Sequence, residues 1–285
     1  MFKRVMVAVM GIPFLLVVLI WAPDWATMVL VADMCAIGAH ELMHAVSGEK
    51  GKRLVPLTMA AAALVPVCVY LEEEIRNANL TAMPEPPFTA VLALVFIFLL
   101  FVYAILHYGK DTAIPFADLT AAIFGGLVFP LMLSCLVRLR MMPAIGKAQV
   151  FLPLCISFGS DTFALFAGMM FGKHKLAPLV SPKKTVEGGI GGLVGGVFGM
   201  VLLNVIVSHT IHDAYMAPFH ILLFGIVGSI ISQIGDLSFS VIKREFGVKD
   251  YGKLLPGHGG ILDRFDSVTF VAPFVWLTLH ILSAL

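Results

Sequence analysis

Long apolar runs separated by short polar segments fill the chain from end to end. About nine of these runs are long enough to cross a bilayer as helices. They cover residues 5–22, 26–46, 54–71, 88–106, 118–137, 149–171, 187–208, 218–236 and 267–284. The pattern predicts an all-α, polytopic integral membrane protein with about nine transmembrane helices.

The composition agrees with this pattern. Of the 285 residues, 59% are hydrophobic and only 13% are charged, with a mean hydropathy of +0.97. Such values exclude an ordinary soluble domain. The net charge of +1 gives no indication of nucleic-acid binding. The cysteines lie far apart in apolar runs, so they are interpreted as small core residues (Cys35, Cys68, Cys135 and Cys155).

The distribution of Lys and Arg predicts the orientation. With the N-terminus in the cytoplasm, most of the 19 basic residues lie on the cytoplasmic side. The exceptions are Arg76, Arg138, Arg140 and Lys147. The basic loops 172–186 and 237–266 are then cytoplasmic, where nucleotides are found. The acidic segment 72–87 is predicted to be a solvated outside linker.

Two regions follow from the positions of these loops. Residues 1–150 are predicted to form N-terminal transmembrane helices with about five spans, and residues 151–285 a transmembrane region that contains both basic loops and the polar residues that could carry chemistry. Glycine recurs at four-residue spacing from Gly188 to Gly199. We interpret this run as a helix-packing surface rather than a phosphate-binding loop, because it continues into a full-length span.

The longest polar stretch of the chain runs from Ser240 to Asp266. It interleaves cations and carboxylates around the turn Pro256-Gly257-His258-Gly259-Gly260, which cannot be regular helix. These residue types suit a metal-bridged phosphate site. A solvated loop between two membrane helices is the alternative.

Ionisable residues at membrane depth are costly and usually functional. Asp161, Asp236 and Asp263 lie in or at the ends of spans and could form one cation site. Local pairing or helix capping is the alternative for each. In the 172–187 loop, Ser181 and Thr185 bracket two lysines. They suit phosphate binding, although a basic loop can also contact anionic lipid.

One further motif points to different chemistry. His40-Glu41-Leu42-Met43-His44 matches the H-E-x-x-H pattern of zinc proteases, with the histidines as ligands and Glu41 as base. A third ligand is needed, and Asp263 or Asp266 could serve. An intramembrane zinc metalloprotease is therefore the alternative function. A transporter or lipid-binding protein that uses the aspartates for ion coupling is a third hypothesis.

The polar stretch carries a long pattern of fixed positions. They are Ser240, Ile242, Lys243, Arg244, Lys249, Asp250, Gly252, Leu255, Pro256, His258, Gly259, Gly260, Ile261, Asp263, Arg264, Phe265 and Asp266. This pattern resembles the signature of the phosphatidate cytidylyltransferases, or CDP-diacylglycerol synthases. The similarity continues upstream at Asp161, Thr162, Ala164, Gly168, Gly172, Lys173, Ser181, Pro182, Lys184, Thr185, Gly235 and Asp236. It covers roughly residues 155–270; the N-terminal half matches only in hydrophobicity.

The resemblance implies a Mg²⁺-dependent transfer of CMP from CTP to phosphatidic acid, giving CDP-diacylglycerol and pyrophosphate in phospholipid biosynthesis. It implies a multi-pass enzyme of the plasma membrane, a homodimer, with its active site facing the cytoplasm. The expected partners are CTP, phosphatidic acid and the lipid bilayer, without nucleic acid.

The resemblance also implies roles for individual residues. The metal ligands are Asp236 and Asp263, with Asp161 nearby, and the number of metal ions, one or two, stays open. The catalytic residues are Asp236, Asp263, Lys249, His258 and Arg264, with His258 favoured as a hydrogen-bond donor. The substrate-binding residues are Ser181, Lys184, Thr185, Lys243, Arg244, Asp250, Gly259, Gly260 and Asp266.

Overall fold

The computed structural model of the protein describes residues 11, 13–78, 85–143, 146–210, 216–254 and 259–284. The helices are α1 Asp24–Val46, α2 Val55–Asn77, α3 Phe88–His107, α4 Phe116–Ile123, α5 Phe129–Leu133, α6 Cys135–Arg140, α7 Gly146–Gln149, α8 Phe151–Phe171, α9 Val186–Thr210, α10 Pro218–Glu245 and α11 Leu262–Ala284. A 3₁₀ turn at Gly51–Leu54 precedes α2, and a π-helical turn at Phe124–Val128 joins α4 to α5. The strands are β1 Lys175–Ala177 and β2 Ser181–Thr185.

Eight helical segments within the described residues are long and apolar enough to cross a membrane. They are Asp24–Val46, Gly51–Asn77, Phe88–His107, Phe116–Arg140, Gly146–Phe171, Val186–Thr210, Pro218–Glu245 and Leu262–Leu282. The prediction of an all-α, polytopic membrane protein is confirmed. The first predicted span, 5–22, lies mostly outside the described residues, although residues 13–20 are helical. The count of nine and the cytoplasmic N-terminus stay predictions.

The chain folds as two compact units. The first unit comprises Met1–Pro143 and Phe246–Arg264, and the second comprises Ala144–Glu245 and Phe265–Leu285. The predicted division into 1–150 and 151–285 concerns function and stays a prediction. The polar stretch from Ser240 to Asp266 is divided between the two units: residues 246–264 belong to the first unit and the others to the second.

The core of the first unit forms where α1, α2 and α3 meet the broken helix α4–α6. Its buried side chains include Met43, Val65, Phe96, Leu100 and Leu127. Glycines at the π-helical turn permit this packing. A Cβ added at Gly126 would lie 2.8 Å from the Phe96 ring, so a larger residue there would push the helices apart.

The acidic end of α2 differs from the prediction of a solvated linker. The helix continues to Asn77, and Glu72 and Glu73 are buried. Arg138 donates hydrogen bonds to Glu73 at 3.0 Å and to Glu72 at 3.4 Å. Glu72 also accepts hydrogen bonds from the N–H and hydroxyl of Thr89 at 2.8 Å. The hydropathy pattern does not predict the burial of Glu72 and Glu73, because this burial depends on ion pairing with Arg138, which is distant in sequence.

In the second unit, the glycine-rich helix α9 packs closely against two neighbours. On one side, Gly195 faces Gly159 and Phe163 of α8; on the other, Gly196 faces Ser229 of α10. Backbones approach this closely only where side chains are absent. The interpretation of the glycine run as a packing surface agrees with this arrangement.

Gly195→Leu is expected to destabilise the second unit by about 1–3 kcal/mol, as overpacking of a close contact does. A Cβ at this position would lie 2.5 Å from the Cβ of Phe163. Thermal unfolding in detergent measures the effect. Val194→Leu is the matched control, because Val194 is 58% exposed on the same helix. Equal unfolding temperatures for Gly195→Leu and the wild type would contradict this account of the packing.

Candidate active site

Three helices of the second unit each contribute one carboxylate to a group of acidic residues. Asp161 lies on α8, Asp236 on α10 and Asp266 on α11. Asp266 is only 7% exposed, and its carboxylate interacts electrostatically with both other aspartates. Asp236 is partly buried and Asp161 is exposed. The group therefore extends from the interior of this unit to its surface.

Two lysines accompany these carboxylates. The Nζ atom of Lys184, on β2, lies 2.5 Å from Oδ2 of Asp236. Lys243, on α10, is only 8% exposed and interacts electrostatically with Asp266. Ammonium groups held at carboxylates in this way are well placed to bind phosphate oxygens as point charges.

Hydroxyl and backbone groups fix the acidic side chains. Ser240 donates a hydrogen bond to Oδ1 of Asp236 at 3.3 Å. The N–H of Ser267 donates to Oδ1 of Asp266 at 2.7 Å, and its hydroxyl lies 3.5 Å from Oδ2 of Asp161. Two hydroxyl groups and one backbone N–H therefore orient the three carboxylates.

The charges of this cluster suit an added cation. In the described part of the chain, Asp161, Asp236 and Asp266 lie with Lys184 and Lys243, and a divalent cation would add positive charge beside the buried carboxylate of Asp266. Among the described residues, no three His, Cys, Asp or Glu side chains could hold a metal ion on their own. Mg²⁺ characteristically uses one or two carboxylates together with substrate phosphates and water. The oxygen donors of Asp236 and Asp266 therefore fit Mg²⁺ bound with a phosphorylated substrate.

The predicted basic loop 172–186 contains a hairpin in which β1 pairs antiparallel with β2. Ser181 opens β2 opposite Ala177. Thr185 precedes α9, and its hydroxyl accepts a hydrogen bond from the N–H of Gly188 at 3.1 Å. This is the geometry of an N-cap. Thr185 thus fixes the start of α9, a role that the sequence analysis did not assign.

The hairpin is also attached to α10. Arg244, predicted as a phosphate contact, donates from Nε to the carbonyl oxygen of Val180 at 3.0 Å. At the base of the hairpin, Nδ1 of His174 lies 2.7 Å from a carboxylate oxygen of Glu187. Together with the pairing of Lys184 and Asp236, these contacts hold the hairpin on the helices of the second unit.

Asp263, a predicted metal ligand, lies in the first unit at the start of α11. Its Oδ2 atom accepts hydrogen bonds from the N–H of Tyr251 at 2.8 Å and of Gly260 at 3.0 Å. Gly259 has a φ of +85°, which only glycine adopts readily. This carboxylate therefore holds the backbone at Tyr251 and Gly260, and its role as a metal ligand stays a prediction.

The remaining predicted residues are more dispersed. Lys249, Asp250 and Arg264 are exposed. His258 lies outside the described residues. The structure gathers Asp161, Asp236, Asp266, Lys184 and Lys243 within the second unit and places Asp263, Gly259 and Gly260 within the first.

Sequence reasoning missed the role of Glu41. This residue of α1 is only 5% exposed, and its carboxylate accepts hydrogen bonds from the N–H groups of Ile261 and Leu262. The rings of His40 and His44 are tilted against each other with centroids 4.0 Å apart, and Nδ1 of His44 lies 3.0 Å from the carbonyl oxygen of His40. A carboxylate committed to two backbone amides is poorly placed to activate water, so this geometry gives the zinc-protease hypothesis no support.

Comparison with known proteins gives a consistent result. The profile of the cytidylyltransferase family matches residues 2–282. A phosphatidate cytidylyltransferase of Bacillus subtilis is 36% identical over 193 residues, which are 67% of this chain and 68% of that protein. A protein of the same name from Staphylococcus saprophyticus is 47% identical over 130 residues, and one from Thermotoga maritima is 39% identical over 137 residues.

The extent of these matches varies. The aligned residues are 46% of this chain and 48% of the staphylococcal protein, and 48% of this chain and 51% of the Thermotoga protein. The chain thus spans about half the length of these two relatives. The comparisons confirm the resemblance that the polar stretch predicts.

Proposed function

Because the chain belongs to the cytidylyltransferase family, we propose that it transfers the cytidylyl group of CTP to phosphatidic acid, giving CDP-diacylglycerol and pyrophosphate. A phosphate oxygen of the lipid bonds to the α-phosphorus of CTP. The bond from this phosphorus to the oxygen that bridges to the β-phosphorus breaks, and pyrophosphate leaves. The observation that carries the proposal is the cluster of Asp161, Asp236 and Asp266 with Lys184 and Lys243.

The two substrates set a problem that this cluster can solve. Both are polyanions, so they repel each other as the lipid phosphate approaches CTP. Lys184 and Lys243 can hold phosphate oxygens and reduce this repulsion. Asp236 keeps the ammonium group of Lys184 in place through their ion pair. A lipid phosphate is already ionised near neutral pH, so the reaction needs neither a strong general base nor a covalent enzyme intermediate.

Mg²⁺ fits this mechanism as the cofactor. We assign Asp236 and Asp266 as its ligands, with Asp161 beside them. When bound, Mg²⁺ supplies positive charge that lowers the repulsion between the phosphates and stabilises the leaving pyrophosphate. Asp263 is retained as a proposed ligand on the resemblance alone, since its Oδ2 atom accepts two loop amides.

Other residues are assigned to the substrates by resemblance. Exposed cations of the polar stretch can bind phosphate, and the backbone of the glycine turn can approach the nucleotide. The set comprises Lys249, Arg244, Arg264, Asp250, Ser181, Thr185, Gly259, Gly260 and His258.

The substrates also determine where the reaction occurs. Phosphatidic acid carries two acyl chains and stays in the bilayer, whereas CTP is soluble, so the active site must lie at the membrane interface. We propose that the protein is a multi-pass protein of the plasma membrane whose active site faces the cytoplasm, where CTP is found. We also propose that it forms a homodimer.

A turnover assay tests the proposed function. Detergent-purified protein with phosphatidic acid, CTP and Mg²⁺ is expected to form lipid-linked CMP and pyrophosphate in equal amounts. Diacylglycerol in place of phosphatidic acid is the matched control, because it has the same acyl chains without the phosphate nucleophile. The absence of product from folded protein in several lipids and detergents would refute the proposal.

A further inference from the structure

A carboxylate on α1 is buried against the loop that leads into α11. Glu41 is 5% exposed, and its two oxygens accept hydrogen bonds from the N–H of Ile261 at 3.2 Å and of Leu262 at 3.0 Å. All of these residues belong to the first unit. Glu41 therefore satisfies amides at the start of α11 that the helix itself leaves unpaired.

The three residues that directly precede α11 provide no side chain that could substitute for Glu41. The residues immediately before α11 are Gly259, Gly260 and Ile261, none of which has a side chain that can cap a helix. Asp263 accepts hydrogen bonds from Tyr251 and Gly260 instead. Glu41 and Asp263 thus hold different amides of the same loop.

Two glycines of the loop lie directly against the carboxylate of Glu41. A Cβ added at Gly252 or at Gly260 would collide with the carboxylate of Glu41. Neither glycine has a positive φ, so each is required for space rather than for backbone conformation. The carboxylate is consequently enclosed by the loop as well as bonded to it.

From these contacts we propose that Glu41 is a positioning residue for the transfer reaction, which holds residues 251–254 and 259–262 in the conformation that presents Asp263. This proposal rests on the proposed function. Glu41 acts from α1, 220 residues away from Ile261 in sequence, and through backbone amides rather than through substrate. The two carboxylate oxygens of Glu41 accept these hydrogen bonds at the positive end of the helix dipole.

The test compares variants of the full-length protein. Glu41→Ala removes both acceptors, and kcat is expected to fall roughly 10²-fold, the cost of a misplaced catalytic group. Hydrogen exchange of peptides within 249–262 is expected to become faster, while exchange in α8 and α9 stays unchanged. Glu41→Gln keeps one carbonyl acceptor and is expected to restore kcat to within about tenfold of the wild type.

Asp33→Asn is the matched control, because Asp33 is an exposed carboxylate on the same helix; it is expected to retain wild-type kcat and exchange. Gly252→Ala provides a second, independent variant, since its methyl group displaces Glu41. It is expected to accelerate loop exchange and lower kcat, and to add little to Glu41→Ala in the double variant. If Glu41→Ala does not fold, Glu41→Gln and Gly252→Ala carry the test.

Different results would refute the positioning role of Glu41 and the proposed cytidylyl transfer. Wild-type protein without cytidylyl transfer would refute the proposed function, while hydrogen exchange would still decide whether Glu41 holds the loop. Wild-type exchange in Glu41→Ala and Gly252→Ala, or faster exchange with wild-type kcat, would overturn the positioning role.

Discussion

Asp266→Asn is expected to lower the turnover of CTP and phosphatidic acid by roughly 10²–10³-fold, the usual cost of removing an electrostatic group from the transition state. Asp266 is the most buried carboxylate of the cluster, and it interacts with Asp236, Asp161 and Lys243. The amide has nearly the same shape but no negative charge, so the proposed cation site loses a ligand while the packing of α11 is kept. Initial rates of lipid-linked CMP formation measure the effect.

Glu245→Gln is the control for this variant. Glu245 is an exposed carboxylate at the end of α10, in the same unit and the same polar stretch. It is expected to retain the wild-type rate. If Asp266→Asn also retained the wild-type rate with an unchanged unfolding temperature, Asp266 would have no part in the chemistry.

Removal of divalent cations is expected to reduce turnover to the uncatalysed level. The two proposed substrates are both polyanions, so chelation would leave their phosphates repelling each other without a bridging cation. The measurement is the rate of pyrophosphate release after treatment with a chelator and again after Mg²⁺ is added back. Full recovery with Mg²⁺ is the predicted result.

A variant that lacks one of the proposed metal ligands provides the control for chelation. Asp236→Asn removes one proposed ligand, so any remaining activity is expected to require a higher Mg²⁺ concentration than the wild type requires. Activity that is unaffected by chelation would contradict the assignment of the cluster as a cation site.

The transmembrane helices can be predicted from the sequence for a physical reason. Backbone groups in lipid must be satisfied within helices, so each crossing requires a long apolar run that the sequence displays directly. The same rule fails at Glu72 and Glu73. These residues read as a solvated segment, yet they are buried by pairing with Arg138, which lies more than sixty residues later in the chain.

The sequence predicts which types of residue form the candidate site, but only in part which of them lie close together. The polar stretch identifies Asp263 and Asp266 together, because they belong to one motif. The structure pairs Asp266 with Asp161 and Asp236, which come from α8 and α10. Sequence spacing cannot show which of two neighbouring carboxylates contacts distant helices, since that depends on how the helices pack.

At Glu41 a sequence motif suggests one role and the structure shows different contacts. The spacing of His40, Glu41 and His44 matches a zinc motif, but the carboxylate binds the start of another helix. The sequence before α11 lacks a capping side chain, which indicates that some distant acceptor is needed. It contains nothing that identifies Glu41 as that acceptor.

The central claim is that this chain moves the α-phosphorus of CTP onto a lipid phosphate. The most direct measurement supplies purified protein and phosphatidic acid with CTP labelled either at the α-phosphorus or at the γ-phosphorus. The account predicts that the α label appears in the lipid fraction and the γ label in pyrophosphate. Label from the γ position in the lipid, or no lipid label from either position, would contradict it.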